Sequence, residues 1–217
     1  MNKLAVQTYK SILLEIRLRV EAIYEFLNGR VRLRQRIGVE LCYLQLRMIC
    51  ELIAIGCLIL HEDVEIKRKK DLLKTYKADW IIKSLGEIHG KFFPRPVNAV
   101  RLPSGRDDIQ DVKSGFLTRD ELVTLFNRTS GNELHRGCAS DIMTKNLNTD
   151  IARLRKLADK VSVLVAHHVI LSRDEKIMAR FWIPLEAPGT ACGLLYEMQP
   201  DGNGRGHSPE KIVTSSA

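Results

Sequence analysis

Residues 33–60 read LRQRIGVELCYLQLRMICELIAIGCLIL. Apolar residues recur here at spacings of three and four, which predicts a helix. They fall into two rows: Leu33, Ile37, Leu41, Leu44, Met48, Leu52, Ile55 and Ile59 in the first, and Val39, Cys42, Leu46, Ile49 and Ile53 in the second. A helix that is apolar on two faces packs between neighbours. We therefore expect 33–60 to be the central helix of a bundle, with burial in the first row of Leu44, Met48, Leu52 and Ile55.

Further helices are predicted on both sides of this stretch. Residues 4–28 predict an amphipathic helix that stops near Gly29, and a third helix is predicted from 67 to about 88. The sequence Thr118-Arg119-Asp120-Glu121 is a capping box, with Leu117 and Leu122 spaced as a hydrophobic staple, and it starts a fourth helix that reaches at least Arg128. Asn148 or Thr149 is expected to cap a fifth helix.

The apolar period changes to two after residue 165. This predicts three antiparallel strands, over 169–171, 177–185 and 191–198. The predicted fold class is therefore mainly α (α+β): a bundle of about five helices over 1–165 with a small C-terminal antiparallel β-meander over 166–199. Residues 90–116 show no period and are expected to be an irregular connection. The polar residues 200–217 are expected to be a disordered tail.

The composition indicates a globular, basic chain. It has 217 residues, a hydrophobic fraction of 45% and a formal net charge of +8, which allows a sizeable core and attracts phosphate backbones. Five cysteines, an odd number without a C-x-x-C pair, favour a reducing compartment. No apolar stretch typical of a secretory signal begins the chain. Arg47 and Glu51 interrupt the one long apolar stretch, 41–60. We therefore expect a cytoplasmic protein without membrane contact.

The segment from 126 to 137 carries the most specific motif. It reads FNRTSGNELHRG and places six residues between Arg128 and His135. This segment resembles the R-x(4–6)-H signature of the HEPN superfamily. Its members are helical bundles, many of them dimeric endoribonucleases in toxin and phage-defence systems. The order of helices, Leu-His-Arg-Gly segment, further helix and terminal strands is also similar to that of uncharacterised bacterial proteins related to that superfamily.

The resemblance implies a metal-independent endoribonuclease that needs no cofactor, with RNA as its partner, and a homodimer. It assigns His135 to proton transfer at the ribose 2′-OH or the leaving oxygen, and Arg128 to the scissile phosphate. Histidine titrates near neutral pH and arginine stays charged, so both side chains suit these roles. On a continuous helix the two residues would share a face roughly 10.5 Å apart along the axis. That separation suits a composite site across a dimer.

A purely structural interpretation of the motif remains open. In it, Arg128 pairs with Asp120, Glu121 or a neighbouring helix, and His135 caps a helix end. The corresponding alternative for the whole protein is a non-catalytic helical interaction or dimerisation module.

Other basic residues are candidates for nucleic-acid contact. They are Arg136 and the run Lys67, Arg68, Lys69 and Lys70. This run and a second one, Arg30 to Arg36, either track phosphates or form solvated helix ends. No metal site is expected from His135, Cys138 and the pair His167-His168, because adjacent histidines point in different directions and no dense ligand cluster exists.

Overall fold

The structure is a computed structural model that describes residues 1–61, 72, 74–75, 77–103, 107–129, 147–184, 187, 189–200 and 207–212. Within these ranges the chain forms five helices and one six-stranded antiparallel sheet. The α+β class predicted from the sequence is therefore confirmed. The division into a bundle and a small C-terminal meander is too simple, because the sheet also includes strands from before the last helix.

The two longest helices form an antiparallel hairpin. Helix α1 (Lys3–Leu27) begins where the Asn2 side chain accepts the N–H of Ala5 at 2.8 Å. It ends at Leu27, close to the predicted stop at Gly29, which has a φ of 72°. Helix α2 (Gln35–Leu60) follows. The remaining helices all contact α2: α3 (Ala78–Gly86), α4 (Arg119–Arg128) and α5 (Leu147–Ala166).

The central helix is confirmed, but the prediction of its buried side is wrong. The second apolar row faces the core, with Leu46 and Ile49 at 0% exposure. Leu44 in the first row is 39% exposed, and Met48 is only half-buried. The second row belongs to the main core cluster, and Leu52 and Ile55 are partly buried against that cluster, whereas the N-terminal part of the first row is left uncovered.

Three short strands near the C-terminus form the predicted meander. They are β3 (His167–Leu171), β4 (Ile177–Trp182) and β5 (Cys192–Pro200). The sheet continues on both sides with β1 (Arg95–Arg101), β2 (Asp107–Asp111) and β6 (His207–Ile212), in the order β2-β1-β3-β4-β5-β6. One face of the sheet packs on the helices, through residues such as Ile170 and Phe181.

The prediction of an irregular connection over 90–116 is wrong for Arg95–Arg101 and Asp107–Asp111, which are the paired strands β1 and β2. The hairpin reaches beyond β3, with which β1 pairs only at Arg95 and Pro96. The polar Asn98 and the apolar Val100 are both exposed. Apolar and polar residues therefore do not alternate along β1 as they do in a strand with one buried face. Pro96 lacks an N–H, yet its carbonyl accepts the N–H of Val112 at 3.0 Å. A strand supported mainly by backbone pairing leaves little trace in the apolar pattern.

Three smaller predictions also need correction. The tail was expected to be disordered, but His207–Ile212 is an edge strand held by backbone pairing to β5, and Pro209 is tolerated at such an edge. The third helix predicted over 67–88 is confirmed for Ala78–Gly86. It is interrupted ahead of Ala78, because the Thr75 hydroxyl accepts the N–H of Lys77 at 3.1 Å in a turn that competes with helix, and residues 67–71 lie outside the described residues. The last helix begins at Leu147, ahead of the expected caps.

Candidate functional site

Arg128 is the one predicted catalytic residue within the described part of the chain. It is the last residue of α4, and its side chain is exposed. The start of this helix is fixed by the predicted capping box, in which Thr118 Oγ1 accepts the N–H of Glu121 at 3.3 Å and the Glu121 carboxylate accepts the N–H of Thr118 at 3.1 Å. Leu117 and Leu122, predicted as its staple, are both fully buried. The start of α4 is therefore firmly held.

The end of α4 is equally well defined. The buried Thr129 hydroxyl lies 2.9 Å from the carbonyl oxygens of both Leu125 and Phe126, to which it donates. The Arg47 guanidinium of α2 lies over the Phe126 ring, 5.4 Å from its centroid, a favourable cation–π distance. Because Thr129 is turned inward, the direction of the neighbouring Arg128 side chain is set by a fixed backbone.

An ion pair ties α4 to α5. The Lys160 ammonium donates to the Glu121 carboxylate, and this hydrogen bond is the main reason why the pKa of Glu121 lies below its ordinary value. The N–H of Leu117 also donates to the carbonyl oxygen of Lys160 at 3.0 Å. The helix that carries Arg128 is thus held by both α2 and α5.

A groove of about 630 Å³ runs between α3 and α4. Its lining carries both signs of charge, with the charged residues Lys83, Arg119, Asp79, Glu87 and Asp120. Asn127 and Thr124 line its α4 side. Arg128 follows Asn127 and lies one helical turn from Thr124, which places it at the rim. The cationic side chains can bind phosphates there, whereas the carboxylates repel phosphates and so weaken the binding of a polyanion.

The other predicted site residues are not brought together with Arg128 by any described contact. His135, Arg136 and the basic run Lys67, Arg68, Lys69 and Lys70 lie outside the described residues. Helix α4 is described as far as Arg128 and its cap Thr129, and residues 130–146 lie outside the described residues. The separation of Arg128 and His135 stays a prediction.

A polar network on the outer face of the sheet was missed by sequence reasoning. At its centre, Arg180 Nε donates to His167 Nε2 at 2.8 Å. Arg180 Nη1 donates to Asp107 Oδ2 at 2.6 Å and to the Tyr196 hydroxyl oxygen at 3.3 Å. The guanidinium lies over the Trp182 ring, 5.1 Å from its centroid. Only the strand alternation, which puts these side chains on one face, could have indicated it from the sequence.

The electrostatics of this network favour a structural role. The pKa of His167 is lowered to about 4, first by burial and then by the charge of Arg180, while Asp107 opposes the shift. His167 is therefore neutral near pH 7. Its Nε2 accepts from Arg180, so the ring proton sits on Nδ1. A neutral histidine that already accepts from an arginine is poorly suited to general acid catalysis at neutral pH.

The neighbouring His168 points to the opposite face of β3, as expected for adjacent histidines. Its Nε2 lies 2.9 Å from the Tyr9 hydroxyl oxygen in the core. Burial, and then the charge of His167, lower the pKa of His168 to about 3, while burial raises the pKa of Tyr9. Tyr9 thus donates and His168 accepts. Among the described residues, no group of three metal-ligating side chains forms.

The three cysteines of α2 behave as packing residues, as predicted. Cys42, Cys50 and Cys57 are buried and free. Burial raises the pKa of the Cys42 thiol to about 11, and raises the pKa values of the other two as well. Such thiols are protonated and unreactive at neutral pH.

The connection between α1 and α2 is the most strongly basic exposed segment among the described residues. Residues 28–37, which we call the α1–α2 tip, are all exposed. They carry four arginines at alternate positions: Arg30, Arg32, Arg34 and Arg36. The side chains between them include Val31 and Leu33, which are 39% and 40% exposed. The segment combines positive charge with uncovered aliphatic surface.

No family model matches the chain, and neither a curated protein nor a solved structure matches it. Helix α2 is long and apolar enough to cross a membrane, but 56% of its most apolar window is buried inside the fold. The core helix of a globular domain passes the same test.

Proposed function

We propose that this chain is a HEPN-like, RNA-directed protein that cleaves single-stranded RNA without a metal ion. Arg128 and His135 form its site, and the helices around α2 correspond to the helical bundle of that superfamily. The observation that carries the proposal is the placement of Arg128. Its side chain is exposed at the last residue of α4, directly after Asn127, which lines the α3–α4 groove. This helix is held at its start by the capping box and at its end by Thr129. Such an anchored backbone suits the positioning of a phosphate ligand.

The proposed chemistry is an intramolecular transesterification. The ribose 2′ oxygen attacks the adjacent phosphorus, and the bond from phosphorus to the 5′ oxygen of the next nucleotide breaks. His135 accepts the proton of the 2′-OH or gives one to the leaving 5′ oxygen. Arg128 binds the phosphate oxygens and stabilises the charge that develops on them. The products are a 2′,3′-cyclic phosphate and a free 5′-OH.

The basic residues predicted from the sequence supply affinity in this proposal. Arg136 and the run Lys67, Arg68, Lys69 and Lys70 contact the RNA backbone, and a cytoplasmic homodimer combines two motifs into a composite site. Binding should weaken steeply with salt, because each phosphate contact releases counterions.

Cleavage of single-stranded RNA in EDTA tests the proposal. The wild-type chain should generate ends that carry a 2′,3′-cyclic phosphate or its hydrolysis product. His135→Ala should lower the rate by about 10²–10⁴-fold, and Arg128→Ala by roughly 10²–10³-fold. The matched control is Arg173→Ala, which removes another exposed arginine, in the turn between β3 and β4. This control should leave the rate unchanged.

Circular dichroism must show that each variant remains folded. Cleavage that is lost equally in the Arg173 variant would contradict the assigned site. If the protein binds RNA without cleaving it, and Arg128→Ala weakens this binding modestly, the chain is an RNA-binding protein and not an enzyme. If neither cleavage nor salt-sensitive RNA binding is seen at low ionic strength, the non-catalytic helical interaction or dimerisation module replaces both nucleic-acid hypotheses.

A further inference from the structure

The α1–α2 tip is held in place by its backbone. Gly29 adopts a φ of 72°, and the Arg30 N–H donates to the carbonyl oxygen of Glu25 at 2.9 Å. This is the bond that closes a Schellman motif at a helix C-terminus. From α5, Arg155 Nη2 donates to the carbonyl oxygen of Leu27 at 3.2 Å. The residues that follow therefore project from a fixed base.

The apolar part of the tip continues along α2. Ile37 is 52% exposed, Leu41 is 41% exposed and Leu44 is 39% exposed. The spacing of four and three residues puts these side chains on one face of the helix. Together with Val31 and Leu33 they form an uncovered aliphatic stripe that begins among the arginines. Exposed aliphatic side chains that are grouped in this way mark an interaction surface.

Every charged residue within the tip itself is an arginine. Arg36 pairs with Glu40 at 3.3 Å, and the alternate residues Arg30, Arg32 and Arg34 add three further positive charges. The exposed Arg155 of α5 adds a further cation beside the base of the tip, where it donates to Leu27 and Asn28. An occupant of this surface therefore needs negative charge at its boundary and an apolar interior.

We propose that the α1–α2 tip docks on an anionic lipid surface. The arginine guanidinium groups bind lipid phosphates and carboxylates at headgroup level. Leu33 and Ile37 enter the boundary between headgroups and acyl chains, as the apolar side of an interfacial segment does. The long arginine side chains reach back to the headgroups while their neighbours insert. The sequence predicted no membrane contact, because its charged residues exclude only a helix that spans the membrane.

Two other occupants fit this surface less well. Residues 28–37 contain no aromatic side chain, so they offer no stacking platform for single-stranded RNA. A phosphate backbone would also leave Leu33 and Ile37 uncovered. A second copy of the chain would bring two identical arginine runs together, and like charges that face each other across an interface repel.

Sedimentation of the full chain with lipid vesicles tests the proposal. Vesicles with about 30% phosphatidylserine should bind the protein, whereas neutral phosphatidylcholine vesicles should not. The double variant Arg32→Gln with Arg34→Gln should lower the partition coefficient roughly 30-fold. Leu33→Ser with Ile37→Ser should lower it about tenfold while retaining the salt dependence. The matched controls are Arg173→Gln and Leu18→Ser, which change an exposed arginine and a leucine that is 65% exposed on α1.

Thermal unfolding verifies that all variants keep the wild-type fold. Equal binding to neutral and anionic vesicles, or serine variants that bind as the wild type does, would overturn the proposal. Loss of RNA affinity in the glutamine variants without loss of vesicle binding would assign the tip to RNA instead. Conversion of a dimer to a monomer by the serine variants would assign the stripe to a second copy. None of these outcomes depends on whether Arg128 and His135 cleave RNA.

Discussion

Tyr9 and His168 show how single residues connect the helical and sheet layers. Their side chains meet in the core at 2.9 Å, and the Phe181 ring lies 4.5 Å from the Tyr9 ring, centroid to centroid. The Tyr9 hydroxyl and His168 Nε2 satisfy each other in the core, whereas the buried His168 Nδ1 has no hydrogen-bond partner among the described residues. The pair therefore fixes how α1 sits on β3.

The variant Tyr9→Phe tests this connection. It leaves His168 Nε2 without its donor while keeping the ring that fills the core. We expect a loss of about 1–3 kcal/mol in the free energy of unfolding, measured by urea titration. The control Tyr24→Phe removes a more exposed hydroxyl that donates to Asp159 at 2.5 Å, and should cost below about 1 kcal/mol. A larger loss in the control than in Tyr9→Phe would contradict the assignment.

The packing of α1 on α2 depends on a glycine of α2, because the absence of a side chain there lets the two helices approach closely. A Cβ on Gly56 would lie 2.7 Å from an atom of the Tyr9 ring, closer than atoms of this kind can approach. That ring cannot easily move aside, because its hydroxyl is bonded to His168 and its face meets Phe181. Gly56 therefore sets the distance between the two helices.

Gly56→Ala should destabilise the fold in spite of helix propensity. Alanine in a helix interior is normally better than glycine by about 1 kcal/mol, but overpacking a filled core costs about 1–3 kcal/mol. We expect a lower melting temperature by calorimetry. Gly90→Ala is the control, since a Cβ there meets nothing within 4 Å. An increase in melting temperature for Gly56→Ala would show that the helices can separate without cost.

The sequence predicted where the helices lie better than it predicted which of their side chains are buried. The two apolar rows located α2, but both rows are equally apolar, so only the tertiary contacts could show that Leu46 is buried and Leu44 is not. The capping box located the start of α4 because that signal is local. Strand β1 was missed because its support is backbone pairing with β2 and, at Arg95 and Pro96, with β3, which the apolar pattern does not record. The Arg180 network joins β2, β3, β4 and β5, so no short segment contains it.

The molecule as a whole is one helical layer against one curled sheet. Asp107 on β2 reaches Arg180 on β4, although β1 and β3 lie between these strands in the sheet. Such a contact requires strong curvature. On the curved outer face a second small apolar cluster forms, around Val97, Val169 and Met178. The sheet is therefore stabilised on both faces, by the helices and by its own curl.

The stability of the whole fold should depend on pH in the weakly acidic range. The pKa values of His167 and His168 are lowered to about 4 and about 3 in the folded chain, whereas both protonate near about 6.5 when unfolded. Below about pH 6.5 the unfolded chain binds more protons, so the free energy of unfolding falls as the pH decreases. We expect a lower melting temperature at about pH 5 than at about pH 7.5.

The variant His167→Gln provides the check on this dependence. It removes one of the two groups and should make melting temperature vary less with pH over the same range. The lowered pKa values of Glu121 and Asp174 contribute only at more acidic pH, below their ordinary values, where protonation removes their native hydrogen bonds. A melting temperature that is constant between the two pH values would contradict the assigned neutral histidines.

The strand order also constrains how the chain acquires its fold. Strands β3, β4 and β5 pair with their neighbours in sequence. Strand β1, in contrast, is separated in sequence from its partner β3 by both α4 and α5. Long loops close slowly, so local pairings form ahead of distant ones. The β1–β2 hairpin should therefore dock last, onto a meander that already exists. Pulsed hydrogen exchange during refolding should show protection of Ala179 and Leu195 before that of Arg95, which pairs with β3. On a ribosome, the same order means that the hairpin leaves the exit tunnel well before the strand it must join.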